Sequence, residues 1–155
     1  MKLRTLLPFT FAILCHAAIA QADPLTVNDA WVREAPPTAQ VLAAYMQITN
    51  PAGQPRTITG AASTCCERVE IHRTEIVDGM ARMIPQPELA VEAGATLLLE
   101  PGGLHLMLIS PKGPLAQGDH VVIELRLDGG ETQEIHAEVR RDGEPAMDHS
   151  HHMHH

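Results

Sequence analysis

The chain has 155 residues, 45% of them hydrophobic, with 19 acidic and 11 basic side chains and a formal net charge of −8. That length is enough for one domain with a real core, and the acidic excess argues against a nucleic-acid partner, whose phosphates would repel it. Only three cysteines are present, Cys15, Cys65 and Cys66, which excludes a multi-bridge disulfide framework.

The N-terminus opens with Met1-Lys2-Leu3-Arg4, continues through an apolar run over 6–20, and ends in the overlapping small-x-small sites Ala18-Ile19-Ala20 and Ala20-Gln21-Ala22. A basic start, a short apolar centre and a small-residue exit predict a secretory signal peptide over residues 1–22, cleaved after Ala22 or alternatively Ala20. The apolar run falls short of the roughly 20 residues that span a bilayer. The mature chain is therefore expected to be secreted, without stable membrane insertion. Ile13 and Leu14 precede Cys15 where a lipoprotein would need small residues, so Cys15 is expected to leave with the leader. Loss of Lys2 and Arg4 takes the mature net charge to about −10, which is compatible with cations.

From there the sequence alternates short β-rich runs with Gly, Pro, Asn and Asp punctuation. Strands are predicted over 25–32, 41–49, 56–64, 67–77, 80–84, 89–92, 96–100, 104–110, 120–127 and 132–139. Asp78-Gly79 is a strong hairpin signal, because both residues tolerate the positive φ of a tight turn. Eight to ten short strands at regular spacing predict an all-β Greek-key β-sandwich over 23–140. Trp31, Tyr45 and the Val, Ile and Leu positions are expected to fill its core. Residues 141–155 are polar and aperiodic and read as a flexible tail. Cys65 and Cys66 could form a strained vicinal disulfide. The favoured reading places one in the core and leaves the other a thiol, since adjacent strand residues point to opposite faces.

Four residues carry chemistry. With Asp78-Gly79 as a two-residue loop, Val77 pairs with Met80 and Met83 falls opposite Thr74, so Met83 is a diagonal neighbour of His72 on one face. His105 and Met107 are one residue apart and share a face of their own strand. Together these make an N2S2 set. Thioether sulfur is soft and prefers Cu(I) to Zn, Mg or Ca. Imidazole suits copper when neutral. A site with methionine ligands and no thiolate should hold the ion yet exchange it, as a carrier does. Met80 lies three residues from Met83, so a regular strand cannot aim both at one metal. His120 and His136 fall on other strands and are expected to be structural.

The spacing of His72, Met83 and His105-Leu106-Met107 resembles the motif of the PCuAC family of periplasmic copper chaperones. The surroundings are similar too: Asp29-Ala30-Trp31-Val32-Arg33, Ala44-Tyr45-Met46, Val69-Glu70-Ile71-His72, Asp78-Gly79-Met80 and Pro101-Gly102-Gly103-Leu104. The resemblance covers about 25–140. It implies a cupredoxin-like β-sandwich in the periplasm, with Cu(I) held by His72, Met83, His105 and Met107. It further implies delivery of copper to the copper-bearing subunit of cytochrome c oxidase, alongside a thiol-bearing partner chaperone. The Cys65-Cys66 pair is not part of that motif.

The tail is a second metal candidate. Met147, His149, His151, His152, Met153, His154 and His155 are packed into its last nine residues. Clustered imidazoles favour Cu(II), and the two methionines could take Cu(I). The competing readings are a blue-copper electron carrier, a thiol–disulfide partner in copper-site maturation, and a metal-free ligand-binding sandwich. The first needs a thiolate beside the His and Met ligands, and no Cys lies near His105 or Met107. No hydrolase signature or phosphate-cradling loop marks an enzyme.

Overall fold

A computed structural model describes residues 23–141. The signal peptide expected over 1–22 and all but the first residue of the tail expected over 141–155 lie outside the described residues.

Ten strands follow in order: β1 Thr26–Arg33, β2 Val41–Thr49, β3 Arg56–Ser63, β4 Cys66–Val77, β5 Met80–Pro85, β6 Leu89–Val91, β7 Thr96–Leu99, β8 Leu104–Pro111, β9 His120–Leu127 and β10 Thr132–Arg140. Among the described residues the one helical element is a 3-10 turn at Asp128–Gly130, so none is long and apolar enough to cross a membrane. The all-β expectation holds, and most strand ends fall within a residue of the sequence reading.

The strands close into a ring running β4, β8, β2, β1, β10, β9, β3 and back to β4 through Ala61↔Val69. β5, β6 and β7 attach to β4, β3 and the β2–β8 junction. Hairpin neighbours are antiparallel, while β1–β10, the first and last strands, pair in parallel. Closure removes most exposed edges, which would otherwise template association.

The core is aliphatic and follows the two-residue alternation of each strand. Leu42, Ala44, Met46 and Ile48 of β2, Leu104, Leu106 and Leu108 of β8, and Val121, Ile123 and Leu125 of β9 all point inward. Each of these Val, Leu, Ile and Met side chains contributes about 1.5–3 kcal/mol relative to exposure. The same alternation turns His105 and Met107 to the outer face of β8.

Tyr45 is buried as expected, on the outer face between inward-facing Ala44 and Met46. The expectation for Trp31 is corrected, since it is only half-buried. The cause is a bulge in β1. Partner numbers shift by one between Asn28↔Gln47 and Trp31↔Tyr45, and Asp29 takes φ 48° within the shift. Asp tolerates that left-handed conformation. The bulge lets Val32 point inward and sets Trp31 against Tyr45, with ring centroids 4.7 Å apart.

The cysteines are also arranged differently from expected. One of the two enters the core as expected, and it is Cys66, while Cys65 sits in the β3–β4 turn and also packs against the core. The opposite-face argument fails because a turn residue does not obey strand alternation. Both are free thiols. Ser63 Oγ donates to Cys65 Sγ at 3.2 Å, and Cys66 Sγ donates to the Arg68 carbonyl at 3.4 Å.

Candidate metal centre

The site is assembled on three neighbouring strands. The β4–β5 hairpin turns at Asp78 and Gly79, with φ of 52° and 76°. That is the doubly left-handed turn the Asp-Gly pair favours. It sets the register Val77↔Met80 and Thr74↔Met83, as the sequence reading required. β8 then pairs with the other edge of β4, whereas the sequence had indicated only that His105 and Met107 share a face of their own strand. The register places His72 directly opposite His105 and Glu70 opposite Met107. Glu70, His72, Thr74, Met83, His105 and Met107 therefore share one face.

The four candidate ligands come together unevenly. His72 and His105 are 8% and 3% exposed, with ring centroids 6.2 Å apart. Met107 is half-buried, and Met83 is 57% exposed. Met83, His105 and Met107 line a cavity of about 340 Å³ together with Arg33, Ala35, Val41, Leu42 and Ala43. His72 lies beside this cavity, against His105. Met80 pairs with Val77 on the opposite face of the hairpin, as its spacing from Met83 required.

Each buried imidazole uses one nitrogen and leaves the other bare. His72 Nε2 donates to Glu70 Oε2 at 2.9 Å. His105 Nδ1 donates to the Gly103 carbonyl at 3.1 Å. That carbonyl also accepts the Thr74 amide at 3.0 Å, in the turn where Gly102 adopts φ 81°. His72 Nδ1 and His105 Nε2 are buried without a hydrogen-bond partner. Buried polar atoms are ordinarily paired, and leaving one unpaired carries a desolvation cost. Two such lone pairs on adjacent rings, beside two thioethers, fit a soft metal ion.

The surroundings hold this pair in place. Glu70 is gripped at both oxygens, since Arg68 Nε donates to Oε1 at 2.7 Å. The hydrogen bond from His72, then that from Arg68, holds the Glu70 carboxyl below its usual range. Trp31, Tyr45, His105 and His72 form a line of rings across β1, β2, β8 and β4. The Arg33 guanidinium stands 5.4 Å from the Tyr45 ring centroid. Sequence reasoning gave Trp31 and Tyr45 only a place in the core and assigned no role to Glu70 or Arg33. The two-residue offset of Glu70 from His72 was the one signal available for any of them.

The other histidines lie elsewhere. His120 and His136 are exposed on the outer faces of β9 and β10, away from the four candidate ligands. They border a separate hollow of about 460 Å³ with Asp29, Glu134 and Glu138. Among the described residues, no three His, Cys, Asp or Glu side chains gather into a metal site. The tail candidates Met147, His149, His151, His152, Met153, His154 and His155 lie outside the described residues.

Comparison with known proteins points to one family. Residues 25–139 match the model of the LpqE-like family, described as "Putative lipoprotein LpqE-like". A protein of Leifsonia xyli subsp. xyli named "Putative lipoprotein Lxx21020" is 31% identical over 121 residues, which cover 77% of this chain and 72% of that protein. Among solved structures, CuI-DR1885 from Deinococcus radiodurans is 38% identical, with TM-score 0.65, covering 81% of this chain and 84% of that one. Its apo form is 36% identical, with TM-score 0.61, covering 92% and 95%. The copper-bound PCuAC domain from PmoF2 shares the fold at 17% identity, with TM-score 0.64 and coverage of 78% and 96%.

Proposed function

The chain belongs to the LpqE-like family and has the fold of PCuAC domains, and from that premise we propose that it is a periplasmic copper chaperone. Its cargo is Cu(I), bound by His72, Met83, His105 and Met107.

The observation that carries this reading is the pair of buried, partnerless ring nitrogens, His72 Nδ1 and His105 Nε2, on the face that also bears Met83 and Met107. The similarity to CuI-DR1885 supports the choice of ion. Two neutral imidazoles and two thioethers make a soft, uncharged donor set, suited to a closed-shell monovalent ion and poor for Zn, Mg or Ca. Cys66 pairs with Pro111, at the opposite end of the β4–β8 ladder from His72↔His105. Among the described residues, a blue-copper centre therefore has no thiolate ligand here.

The unequal burial of the ligands suits transfer. Met83 is more than half exposed on an edge strand while the two histidines are enclosed, so a partner could displace the thioether first. In this proposal the acceptor is the copper-bearing subunit of cytochrome c oxidase, with a thiol-bearing chaperone as co-worker, and the protein catalyses no reaction. The tail adds a Cu(II) site. Its first residue, Arg141, donates from Nε to Glu34 Oε2 at 2.7 Å, one residue from cavity-lining Arg33. The tail thus starts near the core site.

Anaerobic Cu(I) titration against a competing chelator tests the core site. One tight ion per domain is expected, with marked weakening in Met107→Ala. An unchanged Met107→Ala titration would sink the ligand set. Truncation after Arg141 should remove Cu(II) uptake without altering Cu(I) stoichiometry.

A further inference from the structure

The two histidines of the candidate centre are held in opposite tautomers, and the geometry points to Glu70 as the positioning residue that imposes this asymmetry. We infer that His72 presents Nδ1 to the metal, that His105 presents Nε2, and that Glu70 sets the first of these. This inference rests on reading the face as a metal centre.

The argument is one of hydrogen-bond bookkeeping. A carboxylate and a carbonyl oxygen can only accept. The ring nitrogens that meet them must therefore carry the protons: Nε2 of His72 against Glu70 Oε2, and Nδ1 of His105 against the Gly103 carbonyl. A neutral imidazole has one proton, so the lone pairs fall on His72 Nδ1 and His105 Nε2. Those are the two buried atoms left without partners. The donating nitrogens and the partnerless ones thus give one consistent assignment.

Glu70 is well placed to enforce this. It is two residues from His72 on the same strand face, and Arg68 holds its second oxygen. With both oxygens engaged, the carboxylate stands opposite Met107 without being free to bind the ion itself. A carboxylate behind a metal-binding imidazole fixes the ring and raises the basicity of the opposite nitrogen. His105 receives a weaker orienting partner, a neutral backbone carbonyl. That carbonyl depends on the Pro101-Gly102-Gly103 turn and is insensitive to side-chain replacement elsewhere.

Long-range 15N–1H correlation NMR on the apo protein reads each tautomer directly. The expected result is a protonated Nε2 for His72 and a protonated Nδ1 for His105. Addition of Cu(I) should then shift His72 Nδ1 and His105 Nε2. In Glu70→Ala, His72 should lose its single-tautomer pattern and Cu(I) affinity should fall about 10- to 100-fold, with His105 unchanged. Glu70→Gln keeps an accepting oxygen, so it should retain the tautomer and recover part of the affinity. A wild-type His72 protonated at Nδ1, or an unmoved His72 pattern in Glu70→Ala, overturns the assignment while leaving the carrier reading intact. Failure of the wild type to take up Cu(I) overturns both.

Discussion

The barrel carries two pairs of histidines on adjacent antiparallel strands, and they differ in almost every physical respect. His72 and His105 face each other directly across β4 and β8 and are enclosed. His120 and His136 are diagonal neighbours across β9 and β10, since His136 pairs with Val122 and Glu138 with His120, and both are exposed. The hollow beside the second pair is the larger, about 460 Å³ against 340 Å³. Cavity size therefore does not pick out the candidate metal centre. What does is a desolvated lone pair held in position. Water satisfies an exposed imidazole at no cost, whereas a buried nitrogen without a partner remains a standing penalty until something binds it.

The sharpest way to break this comparison is to truncate one histidine from each pair. His105→Ala should lower Cu(I) affinity by more than about 100-fold in a chelator competition, beyond the range of an orienting partner. His136→Ala should leave it unchanged. Equal losses would erase the distinction. The next effect separates the inward face of β8 from the exposed edge strand β5. Leu106 is 1% exposed between His105 and Met107, and Leu106→Ala should cost about 2–5 kcal/mol in urea unfolding. Met83→Leu, on the exposed edge, should change stability by less than about 0.5 kcal/mol while weakening Cu(I) binding.

A smaller effect concerns the buried thiol. Burial first, and the neighbouring Cys65 second, push the Cys66 thiol up to about 11 from an ordinary 9.0. A group raised in the folded state contributes stability that is complete below pH 9.0 and is lost as pH rises towards 11. Urea midpoints should fall across that window, and less steeply in Cys66→Ala. The smallest effect is at the surface. The hydrogen bond from Arg141, then the Gln117 amide, holds the Glu34 carboxyl below its ordinary 4.5. Its contribution is present above pH 4.5 and is lost as pH falls below it, a loss that Glu34→Gln should abolish in thermal melts.

Much of this was legible before folding, and particular residues show why. Asp78-Gly79 specifies a two-residue turn, and a two-residue turn specifies register, so Thr74↔Met83 could be counted out from the sequence. His105-Leu106-Met107 is a local pattern, and alternation alone puts its ends on one face. Three features were not legible. The Asp29 bulge flips the face of Trp31, and nothing in the local sequence marks it. Cys65 leaves the strand ladder for a turn. The partnership of Glu70 with His72 depends on which face of β4 is closed over, and that is decided elsewhere in the chain.

The sequence by itself determined the all-β class, the strand boundaries, the β4–β5 hairpin and the residue types of the candidate centre. These follow from short-range rules: alternation, turn chemistry and donor softness. Only the tertiary structure decided that His72 meets His105, that the ring closes through β3 and β4, and that two ring nitrogens are left buried without partners. Those outcomes depend on pairings between residues far apart in sequence. Such pairings are selected by packing of the whole core and have no local signature to read.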